Sequence, residues 1–99
     1  MIFRDLEKVR VMIKEATELD IAYAYDDLVF PDHTAFIIQF AEEADTSFSC
    51  YFHEDCLPDA KAEILLKLVN SFKNHSCKLK PKGAFNLKQK GEEIEIVFL

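Results

Sequence analysis

Apolar residues recur at spacings of three and four in two stretches of the chain and alternate with polar ones in five others. Leu6, Val9, Ile13 and Ala16, with charges between them, predict an amphipathic helix over Arg4 to Glu18. Ile2 or Phe3 is placed to pack back on its first turn as an apolar staple. After Asp20 the period changes to two. Ile21-Ala22-Tyr23-Ala24-Tyr25 predicts a first strand, weakened by Asp26-Asp27 and prolonged by Leu28-Val29-Phe30. Pro31-Asp32-His33 reads as a turn, because proline presets φ and aspartate can bond its own backbone. Ala35 to Ala41 is the second strand, with Phe36, Ile38 and Phe40 on one face. An acidic connection from Glu42 to Thr46 leads to the third strand, Ser47 to His53, where Phe48, Cys50 and Phe52 alternate with Ser49, Tyr51 and His53.

A second helix starts near Leu57-Pro58-Asp59, where proline suits the first turn and the acids favour its positive end. Ile64, Leu65, Leu68, Val69 and Phe72 form its buried stripe, and it ends near Asn74-His75. Cys77 to Gly83 reads as a lysine-rich connection containing Pro81. Ala84 to Gln89 and Glu93 to Leu99 then predict a hairpin turning at Lys90-Gly91, with Phe85 and Leu87 facing Ile94, Ile96 and Phe98.

The order α-β-β-β-α-β-β predicts one α+β domain over residues 1–99, a two-layer sandwich with two helices on one face of a five-stranded, mainly antiparallel sheet. The other face is left open. If the larger side chains point at the helices, the open face carries Ala35, Ile37, Gln39, Ser49, Tyr51, His53, Asn86, Lys88, Glu95 and Val97. That mixture suits a partner surface, and a second copy of the chain is the simplest partner. The element order, in a small acidic chain, resembles that of the dimeric secretion chaperones that hold unfolded effector segments. The third, C-terminal helix of that family has no counterpart before Leu99.

Composition narrows the class. Ninety-nine residues suffice for one core, and an apolar share of 49% with nine Phe and three Tyr supplies it. No apolar run approaches the roughly 18 residues that span a bilayer, and the N-terminus lacks a signal-peptide pattern. The expectation is a cytoplasmic protein without membrane attachment. Three cysteines (Cys50, Cys56 and Cys77) are too few and odd in number for a disulfide framework.

Candidate chemistry is thin. Cys50-x2-His53-x2-Cys56 followed by His75-x-Cys77 offers zinc-ligand residue types, but no CxxC knuckle. Cys56 and Cys77 flank the second helix, whose ~16 residues at about 1.5 Å each hold them roughly 24 Å apart. No metal or cofactor is expected. Asp26, Asp27, Asp32 and His33, with His53, offer acid–base groups around the first hairpin, although loop aspartates serve turns equally well. Cys56 lies beside a helix N-terminus without a base to make it a nucleophile. Gly83 and Gly91 stand alone and open no phosphate-cradling helix.

The charge is segregated. The first 63 residues hold fifteen acids against five basic side chains, residues 64 to 91 hold seven lysines and no carboxylate, and Glu92, Glu93 and Glu95 follow. Lys78, Lys80 and Lys82 alternate on an extended stretch, and Lys88 and Lys90 follow on the hairpin. Such a stripe could track a nucleic-acid backbone. The net charge of -6, the core-like spacing of Phe85 and the absence of arginine after Arg10 weigh against it. A solvated lysine edge that discourages strand-to-strand association, or a protein partner with an acidic surface such as another copy of the chain, accounts for it better.

The leading expectation is a non-enzymatic adaptor or chaperone-like domain that binds protein as a homodimer. Its partner-binding residues are Lys78, Lys80, Lys82, Lys88, Lys90, Ile37, Tyr51 and Val97. The alternatives are a small enzyme or ligand-binding domain with a site at Asp26, Asp27, Asp32, His33 and His53, and nucleic-acid binding through residues 78–90.

Overall fold

The computed structural model describes residues 6–25, 27–41 and 46–99. In chain order the elements are α1 (Leu6–Thr17), β1 (Ile21–Tyr25), β2 (Leu28–Pro31), a 3-10 turn (Asp32–Thr34), β3 (Phe36–Phe40), β4 (Ser47–His53), α2 (Pro58–Asn74), β5 (Lys78–Lys90) and β6 (Glu93–Phe98). The strands lie in the order β1-β2-β3-β4-β5-β6 and form one mixed sheet, curled into a half-barrel. Neighbours are antiparallel except β4 and β5, which run parallel. A parallel pair needs a long crossover, and α2 is that crossover.

The α+β class, both helices and the extent of the Ser47–His53 strand match the sequence reading, but the sheet has six strands rather than five. Leu28–Pro31 does not prolong β1; it pairs antiparallel with it, with Tyr25 opposite Leu28. The turn at Asp32–Thr34 then leads into β3. The expected staple from Ile2 or Phe3 and most of the acidic connection at 42–46 lie outside the described residues.

The larger correction concerns β5. The stretch read as a connection is the first half of a 13-residue strand that lies between β4 and β6, pairing with β4 over residues 78–85 and with β6 over residues 85–90, so the lysines lie where β5 has a neighbour on one side only. Its ladder with β4 runs Ser47↔Lys78 to Cys50↔Pro81, skips Lys82, and resumes at Tyr51↔Gly83. Lys82 is a bulge residue. Proline tolerates this place because the ladder is interrupted beside it. One extra residue also reverses the faces of everything that follows. Leu79 points at the helices, whereas Phe85 and Leu87 pack on the opposite side with Ile37 and Tyr51. The expected assignment of Phe85 and Leu87 to the helix layer is thereby overturned.

The core has two parts. Val9, Met12 and Ile13 of α1 and Leu68 and Phe72 of α2 pack on Val29, Phe36, Ile38, Phe48, Cys50 and Phe52, all nearly or fully buried. Ser71 is the buried polar side chain here, and its hydroxyl donates to the Met12 carbonyl at 2.7 Å, tying the helices together. α2 ends in a Schellman motif. Ser76 takes the left-handed position at φ 62, the Cys77 N–H donates to the Phe72 carbonyl at 2.8 Å, and the Ser76 N–H to that of Lys73 at 3.0 Å. The second part lies on the helix-free face, where curling of the sheet encloses Phe30, Ile37 and Phe85.

Candidate interaction surface on the helix-free face

Register fixes what this face carries. Tyr23 and Tyr25 stand opposite Phe30 and Leu28, Leu28 opposite Gln39, Ile37 opposite Tyr51, and His53 beside Phe85. Phe85, Leu87 and Gln89 meet Phe98, Ile96 and Ile94 across the last hairpin. Gly83 leaves open the place beside Tyr51; the tyrosine ring fills it and reaches Phe98 at 4.6 Å between centroids. An added Cβ at Gly83 would sit 3.4 Å from the Leu99 carbonyl oxygen and 4.0 Å from the Tyr51 ring, in contact with both. This is an aromatic contact across a strand glycine, and it links β4 to β6 over β5.

The centre of the face is polar in one line. The Tyr51 hydroxyl donates to Gln39 Oε1 at 3.0 Å, and Gln39 Nε2 donates to the Asp27 carboxylate at 2.9 Å. The chain holds the Tyr51 ring where it meets Phe98 at a tilt of 54°. The borders are apolar and open: Tyr23 is 58% and Tyr25 65% exposed on β1, and Ile94 is 64% and Phe98 44% exposed on β6.

Of the expected partner residues, Ile37 and Tyr51 lie here, with Ile37 fully buried in the small core. Lys78 and Lys80 share the face, opposite Ser47 and Ser49. Val97 does not. It stands opposite Asn86 on the helix side of the sheet, as do Lys88 and Lys90 with their partners Glu95 and Glu93; with Ala35, which packs against the helix-side core, five of the residues placed on the open face (Ala35, Asn86, Lys88, Glu95 and Val97) belong on the other side. The bulge at Lys82 thus splits the lysine stripe between two faces, and Lys88 and Lys90 stand across the ladder from Glu95 and Glu93 of their own hairpin. Opposite charges directly across a ladder favour each other, which leaves less of the block for an outside phosphate chain.

The acid–base candidates are not gathered. Asp26 lies outside the described residues. Asp27 and Asp32 stand at opposite ends of β2, about 16 Å apart for five strand steps. His33 is exposed in the 3-10 turn at φ 68. His53 lies edge-on to Phe85 at 5.2 Å, and its Nδ1 accepts the Asp55 amide hydrogen at 3.1 Å. That bond needs the lone pair on Nδ1, so the Asp55 carboxylate, 3.7 Å from the same atom, is not its ion-pair partner in this tautomer. Among the described residues no three His, Cys, Asp or Glu side chains are grouped to hold a metal.

The cysteines are free. Cys56 and Cys77 flank α2 as expected, and burial pushes the Cys50 thiol up to about 12 against a weaker opposing pull from Lys61. On α1, the hydrogen bond from Arg10 holds the exposed Glu7 carboxyl below its ordinary value. A wide groove of about 730 Å³ runs along the helix side between the end of α1 and α2, lined by Glu15, Glu18, Phe36, Lys67, Asn70 and Asn74 among others. It contains none of the candidate residues, and Glu15 is already bonded to His75 at 2.9 Å.

No helix among the described residues is long and apolar enough to cross a membrane. No family model matches the chain, nor does any curated protein or solved structure. Sequence reading passed over the Tyr23–Tyr25 border. Its signal was present: a five-residue strand without charge or proline in a chain that is 30% charged.

Proposed function

We propose that the protein is a non-enzymatic protein-interaction domain that works as a homodimer, with the helix-free side of its sheet as the contact surface. The carrying observation is the exposure of Tyr23, Tyr25, Ile94 and Phe98 on one face whose middle is already packed. Exposed large apolar side chains along the two borders of one face favour association over solvation. The dispersed acid–base groups favour binding over catalysis, because general acid–base work needs them within reach of one substrate.

Sedimentation velocity at increasing protein and salt concentrations tests the reading. A dimer that persists near 1 M salt is expected, since apolar contact is not screened while the Debye length falls to about 3 Å. A monomer at every concentration overturns it.

A further inference from the structure

Two strands border the sheet, and they are built differently. β6 carries Glu93 and Glu95, with Glu92 in the preceding turn, so a second strand added there meets carboxylates. This is a common way to blunt an edge. β1, Ile21-Ala22-Tyr23-Ala24-Tyr25, has no charged residue and no proline, and all but Ile21 are exposed. Its nearest acid at the N-terminal end, Asp20, is engaged by Lys14 at 3.2 Å. The Tyr23 and Tyr25 rings stack in parallel, 6.4 Å apart and 7° from coplanar, and Tyr23 leans on Phe30 at 5.8 Å. The ring pair therefore stands ordered at an edge that has no strand beside it among the described residues.

The hydrogen-bonding pattern selects a register. The Phe40 N–H donates to the Asp27 carbonyl at 2.9 Å, so the N–H and C=O of Leu28, one residue on, turn the other way, towards Tyr25. Alternation along the strand then turns the N–H and C=O of Ala24 outward. The irregularity between Ile21 and Tyr23 confines the regular outer ladder to Tyr23, Ala24 and Tyr25.

We propose that β1 of a second copy pairs antiparallel with this strand about a two-fold axis at Ala24, joining two half-barrels into one sheet. The inference rests on the homodimer reading above and names its site. The segment is its own complement in this register. Ala24 exchanges both free backbone bonds with Ala24 of the partner subunit, and each Tyr23 stands opposite the other copy's Tyr25. The four rings gather over the seam on the helix-free face, while alanine meets alanine on the helix side. An isologous contact of this kind consumes the open edge of both copies and closes the assembly at two.

Two variants and one cross-link test it. Tyr25→Lys replaces a ring exposed in the monomer, so the fold stays, as far-UV circular dichroism and thermal unfolding will verify. The change removes both tyrosine pairs of the dimer, and about a tenfold weaker self-association is expected by sedimentation. Ala24→Pro deletes the outward N–H and abolishes dimerisation. Ala24→Cys, in a Cys56→Ser background, gives a disulfide-linked dimer on mild oxidation, because opposed residues of a hydrogen-bonded pair lie about 5.5 Å apart between Cα atoms. A wild-type dimer untouched by Tyr25→Lys, together with no cross-link at residue 24, overturns this seam and leaves the homodimer reading standing. A wild-type monomer up to about 1 mM, a concentration at which association worth only about 4 kcal/mol would register, overturns both.

Discussion

On one face of the sheet Phe72 of α2 is fully buried between helix and strands, edge-on to Phe48 at 5.1 Å; on the other Phe85 is equally buried with no helix over it. The first burial comes from adding a layer, the second from curling one. Leu68, Met12 and Ile13 close the helix side, all at 0% exposure. Around Phe85 the enclosure is made by half-buried neighbours, Tyr51, Leu87 and Ile96, that are still in contact with water. Equal burial of a single side chain therefore conceals unequal surroundings. The thinner side is where a partner has something left to cover.

The most disruptive way to break this comparison is to delete Lys82. Without the bulge, Phe85 and Leu87 would move to the helix side and Asn86 and Lys88 to the small core, since a one-residue slip exchanges the faces of a strand. A loss on the order of 5 kcal/mol or more is expected, enough to unfold a domain of ordinary stability. A cooperative urea transition close to that of the wild type would show that the bulge does not set the faces.

A finer comparison sets Phe72→Ala against Phe85→Ala. Truncating Phe72 leaves a cavity between rigid elements and should cost about 4 kcal/mol. At Phe85 the half-buried neighbours can collapse inward, and about 2–3 kcal/mol is expected. Equal losses in chemical denaturation would mean that the two cores are equally rigid.

The smallest effect is chemical. Cys50 lies in the helix-covered core with its thiol held near 12, whereas a free thiol ionises near 9.0. Its thiolate fraction at pH 8 is about a thousandfold below that of a free cysteine. Half-exposed Cys56 should react first with a thiol reagent, and Cys50 only on unfolding. Because the folded state keeps this proton after the unfolded chain has lost it, the thiol's contribution is intact below pH 9 and is lost as pH rises towards 12. Cys50→Val, which lacks that ionisation, should therefore gain on the wild type across this window in urea titrations. Parallel pH profiles would contradict the burial.

Much of this was legible in the chain. The helices announced themselves by their three-four spacing, and Pro58 and the residues after Asn74 marked the ends of α2. The alternation at Ser47–His53 gave both the strand and its faces. The same alternation misled at Phe85, because a period of two says which residues share a side but not which side that is. The lysine block misled for a related reason: composition placed it together, and the register distributed it over two faces and against Glu93 and Glu95.

Local periodicity, turn chemistry and charge are properties of neighbouring residues, and the sequence alone determined them here: two amphipathic helices, alternating strands, an uncharged Ile21–Tyr25 segment and a divided charge. The six-strand order, the parallel pairing of β4 with β5, the bulge at Lys82 and the edge position of β1 were decided only by tertiary structure. Each depends on hydrogen bonds between segments distant in sequence, and a strand does not carry within itself whether it will lie inside a sheet or at its border.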